Sequence, residues 1–448
     1  MDISTLIPSF GNGAFTVLWF VVALSIIVAI HEYGHYIVGR WCGIGADVFS
    51  IGFGPVLWSR VDKRGTRWQI AAIPMGGFVK FKGDANAASG KDGAAMAAMD
   101  ESELRHTMHG APLWARSATV AAGPVFNFIL SILIFSAVMM TNGQVGEKLI
   151  VGEVWDMPNA PYELREGDVV QAIEGTALPS FDDPEAFDAF STDLPKADPL
   201  IYTVQRGGDV IEVTGPYLYP ALVKSLAPRS AAYNAGLESG DVFTAIDGQP
   251  IVAFSQLKDV VEGGDGKTVA LTVYRDGETQ QFDLTPRRVD EPNNEGGFVT
   301  NWRIGILGGI AFEPATETLG FGEAVHAGAR QTLRIMEGSL SGLYHIVTGG
   351  ISSCNLSGPV GIAQTSAAMA SQGTENFIWF IAVLSTAIGL LNLFPIPMLD
   401  GGHLVFYSYE AVTGRAPSDR VLQVLMTIGL VIVLGMMLFG LTNDLFCP

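Results

Sequence analysis

Apolar side chains in this chain gather into four long runs. Residues 15–38, 117–140, 377–394 and 421–446 are each long and apolar enough to cross a bilayer as a helix, which takes ~20 residues. The first run is not expected to be a cleaved signal peptide, because it is too long and has no basic stretch ahead of it. The segment 141–376 between the second and third runs carries no such stretch. Near its end, 322–346 places Val325, Ala329, Leu333, Met336 and Leu340 at helical spacing. That pattern predicts a helix that either lies on a membrane surface or packs on neighbouring protein.

Charge orients these elements. The 448 residues are 48 % hydrophobic yet carry a formal charge of −19, which suggests membrane segments joined to an acidic soluble part. Arg40, Arg60, Lys63, Arg64, Arg67, Lys80 and Lys82 fall between the first two runs, and Arg415 and Arg420 between the last two. The positive-inside rule puts both connections in the cytosol. The acidic segment and both chain ends are then expected outside. The small-residue stretch 84–99 reads as a flexible cytosolic loop. So acidic a chain is not expected to bind nucleic acid.

The outer segment repeats itself. Glu166-Gly167-Asp168-Val169-Val170-Gln171-Ala172-Ile173 is matched by Ser239-Gly240-Asp241-Val242-Phe243-Thr244-Ala245-Ile246, and each copy leads to a helix-like stretch and a strand ending at a turn. The order resembles the PDZ domain, a small β-sandwich that captures extended peptides by strand addition. The second copy also carries Ala235-Gly236-Leu237, so Gly236 and Leu237 are expected to meet a peptide terminus there. The first copy matches less well.

Chemistry enters where the first apolar run ends, at His31-Glu32-Tyr33-Gly34-His35. Ionisable groups at membrane depth are costly and are functional candidates by default. His31 and His35, one helical turn apart, share a face and could both offer a ring nitrogen to one Zn²⁺. Glu32 stands beside them as a general base. A catalytic zinc usually takes a third protein ligand, and Asp400, in Leu393-Phe394-Pro395-Ile396-Pro397-Met398-Leu399-Asp400-Gly401-Gly402, is the best candidate. Its prolines break the helix and its glycines allow a sharp turn. His31 lies ~24 Å along the first span at 1.5 Å per residue, so both halves of the site reach similar depth. His403 is the second choice for this ligand, and Cys42 a remoter one. Cys42, Cys354 and Cys447 form no motif, so no disulfide framework is expected.

These strings resemble the site-2 intramembrane metalloproteases, through HEYGH at 31–35, AAGPVFNF at 121–128, NLFPIPMLDGGH at 392–403, FSIGFGP at 49–55, IPMGGFVKF at 73–81 and NLSGPVGIA at 355–363. The resemblance implies zinc held by His31, His35 and Asp400, with Glu32 as acid/base. It also implies substrate contacts at Asn392, Gly123, Asn127, Gly76 and Gly77, and membrane-reentrant β-hairpins over 49–81 whose edge pairs with an unwound substrate. The expected fold is a polytopic α-helical membrane protein of four transmembrane helices with two tandem PDZ β-sandwiches inserted between the second and third. Its parts would be 1–141, repeats at 145–220 and 221–290, an outer linker at 291–375 and the closing helices at 376–448. The implied function is hydrolysis of peptide bonds within single-span proteins of a bacterial inner membrane, anti-sigma factors or signal-peptide remnants. The alternative is a non-catalytic membrane scaffold that uses the repeats to hold clients.

Overall fold

The computed structural model describes residues 3–85, 90, 92–146, 148–179, 184–293 and 297–447. They form two compact units, one of Met1–Val138, Phe321–Gly349 and Ser353–Cys447, the other of Met139–Gly320 with Gly350–Ser352.

The first unit contains α1 (Ile3–Trp41), β1 (Ala46–Val61), β2 (Arg67–Phe81), α2 (Leu113–Asn142), α3 (Phe321–Thr348), α4 (Pro359–Ser371), α5 (Thr374–Asn392), α6 (Asp400–Thr413) and α7 (Asp419–Phe446). Four stretches are long and apolar enough to cross a membrane: Gly13–Trp41, Leu113–Asn142, Thr374–Asn392 and Arg420–Phe446. The third ends two residues before the apolar run does, because Pro395 and Pro397 cannot continue a helix. Buried hydroxyls join α2 to α5. Ser385 Oγ donates to the Asn127 carbonyl at 2.9 Å, and Ser131 Oγ to the Ala382 carbonyl at 2.8 Å. Such bonds act between helices that lipid alone would not drive together.

The strands β1 and β2 are bent, so that the first half of β1 lies between the two halves of β2. Phe49 and Ser50 face Val79 and Phe78 on one side and Trp68 and Gln69 on the other. In the stretch expected to be a loop, Gly93–Ala97 forms a short helix whose start is capped by Asp92, which accepts from Ala95 N at 2.9 Å. Asp84 is buried, accepting from Phe81 N at 3.0 Å and lying 3.1 Å from His109 Nε2. Residues 86–89 and 91 of that expected loop lie outside the described residues.

Two expectations for α3 and the cysteines of this unit change. In α3 the buried face is Ala324, Gly328 and Thr332, one position off the expected stripe, while Leu333 and Leu340 stay exposed. Small residues win that face because α2 comes close: a Cβ on Gly328 would sit 2.6 Å from Ser136 Oγ. Cys354 and Cys447 are joined in a disulfide, with Cα atoms 5.6 Å apart, against the expectation of no disulfide framework. Spacing could not reveal it, since 93 residues separate the pair and tertiary contacts close the gap. The Asp444 carboxylate accepts from Gly358 N at 3.0 Å and Gly361 N at 2.9 Å, capping the start of α4. Beside it, Asn443 Nδ2 donates to the Ser353 carbonyl at 2.8 Å. Cys42 is free.

The second unit is strand-rich. Its strands are β3 (Val151–Val154), β4 (Val169–Ile173), β5 (Thr176–Ala177), β6 (Leu200–Arg206), β7 (Asp209–Gly215), β8 (Ser225–Leu226), β9 (Val242–Ile246), β10 (Gln249–Pro250), β11 (Val269–Arg275), β12 (Glu278–Leu284), β13 (Arg287–Pro292), β14 (Phe298–Arg303), β15 (Ile306–Leu307) and β16 (Phe312–Pro314). The repeat seen in the sequence is a repeat in space. One four-stranded sheet has the order β5-β4-β6-β7, the other β10-β9-β11-β12. β6 and β11 bury alternate residues, Leu200, Tyr202 and Val204 in one and Val269, Leu271 and Val273 in the other.

Each Gly-Asp turn is fixed in the same way. Asp168 accepts from Arg165 N at 2.9 Å and from Arg206 Nε and Nη2, both at 2.7 Å. Asp241 accepts from Glu238 N at 2.8 Å and from Arg275 Nε and Nη2 at 2.5 and 2.6 Å. Burial pushes the Asp168 carboxyl up, but the Arg206 and Arg165 bonds outweigh it and hold it below the usual carboxylate range.

The expected linker 291–375 contributes strands of its own. β15 pairs with β8 through Ile306 and Leu226, β16 pairs with β3, and Phe312 is fully buried in the first repeat's core. The strands Gln144–Val145 and Thr316–Glu317 pair side by side, so the chain enters and leaves this unit at one place.

Candidate metal centre

α1 continues without a break through His31 and His35, which therefore project from one face. The chain approaches them again at Asp400. Phe394–Leu399 makes tight turns, with Ile396 N donating to Phe394 O at 2.7 Å and Leu399 N to Ile396 O at 3.0 Å. Met398 is held at φ +95, a costly conformation for a side chain with a Cβ, ~1–3 kcal/mol. Asp400 then opens α6, where the helix N-terminus favours a carboxylate.

The three donors converge. His31 Nε2 lies 3.1 Å from Asp400 Oδ2, His35 Nε2 lies 3.5 Å from it, and the two Nε2 atoms are 3.1 Å apart. Four ligands placed tetrahedrally at 2.0–2.1 Å from zinc stand about 3.3 Å from one another. His35 Nδ1 faces the Thr119 carbonyl at 2.8 Å, and a carbonyl can only accept, so that nitrogen carries the proton. In the neutral ring Nε2 is then a lone pair turned toward Asp400 Oδ2, itself buried and without a hydrogen-bond partner among the described residues. Such a set of acceptors facing one another is favourable around a cation. The residues fit zinc.

A second orphaned atom supports the same assignment. Asn127 is fully buried, with Nδ2 placed 3.2 Å from His31 Nδ1 and Oδ1 left unpartnered. Turning the amide over lets Oδ1 accept from a His31 Nδ1–H, which satisfies the orphan and frees His31 Nε2 for a metal. Gly123 is the floor of the site. A Cβ there would fall on His35 Nε2 and Cε1 and within 2.8 Å of His31 Cε1.

Glu32 lies against the second half of β2. Gly77 sets that approach: a Cβ on it would come within 3.1 Å of Glu32 Cγ and 2.8 Å of the Ser50 carbonyl. Its neighbour Gly76 takes φ +153, with the Phe53 ring where a Cβ would stand. Asn392 ends α5, partly buried, and its side chain makes no hydrogen bond among the described residues. His403 and Cys42 are not among the three grouped donors. In the second repeat Leu237 is core, 3 % exposed. The Gly236 and Leu237 amides both bond back to the preceding short helix, at Tyr233 O and Ala232 O, so a peptide terminus would compete with those bonds.

Several supports of the site escape a reading of sequence. Thr119 acts through its backbone carbonyl, which leaves no residue-type signal. Ser131 and Ser385 did leave one, as hydroxyls inside apolar helices.

Comparison with known proteins agrees with the geometry. The sequence profile of peptidase family M50 matches residues 19–436. The chain is 36 % identical over 434 residues to a candidate zinc metalloprotease of Agrobacterium fabrum, covering 95 % of this chain and 94 % of that one. It is 32 % identical to the regulator of sigma-E protease RseP of Salmonella typhimurium, covering 96 % and 99 %, and 31 % identical to RseP of Escherichia coli K12, covering 95 % and 97 %. Full-length matches of this kind, with a zinc-compatible donor set on α1 and at the start of α6, leave one assignment: the chain belongs to peptidase family M50 and is a zinc metalloprotease of the site-2 type.

Proposed function

We propose that this protease cuts peptide bonds inside the membrane segments of single-span proteins, with zinc held by His31, His35 and Asp400 and the proton moved by Glu32. The observation that carries the reading is the meeting of three donor atoms, 3.1–3.5 Å apart, from within the membrane-length helix α1 and from the start of α6. Zinc, when bound, supplies a Lewis acid that polarises a carbonyl and brings the pKa of water toward ~7. Glu32 takes the proton of the attacking water and returns it to the leaving amine. The Thr119 carbonyl and Asn127 hold the two imidazoles in the tautomer this needs.

A helical substrate hides its carbonyls in backbone bonds and must unwind before attack, at a cost of several kcal/mol for each unpaired group in lipid. The second half of β2, which runs past Glu32 at Gly77, offers an edge to replace those bonds, and the Asn392 side chain offers a further contact. Two relatives are named regulators of sigma-E, which supports an anti-sigma factor as substrate; signal-peptide remnants are the other class. The two repeats are read as PDZ domains on the outer side, where they would capture peptide termini and exclude substrates with bulky outer parts. A disulfide between Cys354 and Cys447 supports an outer, oxidising location for both.

The test is co-expression with a tagged single-span substrate already trimmed on its outer side. Wild type should yield a shorter product and Glu32→Gln none. Equal product from both would remove Glu32 from the reaction.

A further inference from the structure

Where α1 leaves the membrane there is a cavity of about 530 Å³ that the protease chemistry does not use. Four separate pieces of chain bring a cationic or titratable side chain to it: Arg40 from the last turn of α1, Arg64 from the turn between β1 and β2, Lys82 just after β2, and His106. Arg40, Arg64 and Lys82 form no ion pair with a carboxylate among the described residues, although the chain as a whole is acidic. The site is shaped as well as charged. The Lys82 stem lies along Gly45, where a Cβ would come within 2.8 Å of its Cδ. His106 Nδ1 bonds the Gly43 carbonyl at 2.7 Å, which fixes the ring against the wall. Ile37 and Trp41, from the membrane-length helix itself, give the lining an apolar side, and Trp41 is 72 % exposed.

Cations around a cavity of ligand size call for an anion. The apolar wall and the exposed indole at the end of a span favour one that is tethered to the bilayer, since Trp and basic side chains are the residues that meet headgroups. We propose that this cavity holds the phosphodiester headgroup of an anionic phospholipid, with Arg40, Arg64 and Lys82 on the phosphate and the acyl chains running along Ile37 and Trp41. Bound there, one lipid ties the end of α1 to both ends of the β1–β2 sheet. The inference needs only that α1 crosses the membrane and is independent of the proposed proteolysis.

Native mass spectrometry of the full chain in detergent provides the test. The protein is titrated with phosphatidylglycerol, with phosphatidylcholine of the same acyl chains, and with glycerol 3-phosphate as the free anion. One phosphatidylglycerol should be retained at least ~tenfold more tightly than phosphatidylcholine, and each of Arg40→Gln, Arg64→Gln and Lys82→Gln should weaken it ~fivefold. Arg60→Gln, outside the cavity lining, should leave binding unchanged. Equal retention of the two lipids would overturn the proposal, as would glycerol 3-phosphate competing as well as the lipid. So would an Arg60→Gln loss as large as that of Arg40→Gln, which would mean a diffuse basic surface. The comparison of the three ligands on wild type needs no variant to fold.

Discussion

Gly123 and Asn127 do more for the proposed zinc site than their chemistry suggests, because neither offers a ligand. A methyl on Gly123 would occupy the space of both imidazoles. Gly123→Ala should therefore purify with little or no zinc by metal analysis; full zinc content would mean that the rings can move aside. Asn127 separates two arrangements of one amide. If its oxygen accepts from His31, Asn127→Asp keeps that acceptor and should hold zinc nearly as well as wild type, while Asn127→Leu should weaken it ~10–100-fold in competition with a chelator. The reverse order would mean that the amide donates instead. At this scale the sequence was most informative. Two histidines and two carboxylates stand at the ends of stretches that otherwise avoid charge, which is costly in lipid. The acceptors that orient them were illegible, because a Thr119 carbonyl reads like any other carbonyl.

The four membrane-length stretches were legible to within four residues at each end, since apolar length and proline fix them, but α4, α6 and the faces the helices share were not. The stripe on α3 pointed to Leu333 and Leu340, whereas close approach to α2 selected Ala324, Gly328 and Thr332. The link between α6 and α2 was equally hidden. Arg116 donates to both Glu410 oxygens, at 3.0 and 2.6 Å, across 294 residues, and its guanidinium lies 5.1 Å from the Tyr407 ring centroid. Because α6 begins at Asp400 and Arg116 is one turn from Thr119, this fork holds two site-bearing elements in register. A double-mutant cycle of Arg116→Ala and Glu410→Ala, read by unfolding in mixed micelles, should give a coupling of about 1.5–3 kcal/mol. Both single variants should release zinc faster. Additive effects would reduce the pair to two independent surface contacts.

The repeat was readable from its Gly-Asp turns, and β15 and β16 were not, because they are two and three residues long. They matter for any dissection. A deletion of 151–288 would strip β15 and β16 of their partners β8 and β3. The paired strands Gln144–Val145 and Thr316–Glu317 mark a better boundary, since the two chain ends already lie side by side. Removing 146–315 and closing the gap with a short Gly-Ser linker should leave zinc content and Glu32-dependent cleavage intact. It should also extend cleavage to substrates whose outer domains have not been trimmed. Unchanged selectivity would count against exclusion by the repeats. The Cys354–Cys447 bond, finally, closes a ring of chain that contains Asp400. On the proposed topology this ring can shut only after α7 has been threaded through the bilayer and Cys447 has met an oxidant on the far side. A chain stalled in biogenesis before that step would keep both of these thiols free beside Cys42, so counting alkylated cysteines in newly made protein would distinguish finished molecules from those still being inserted.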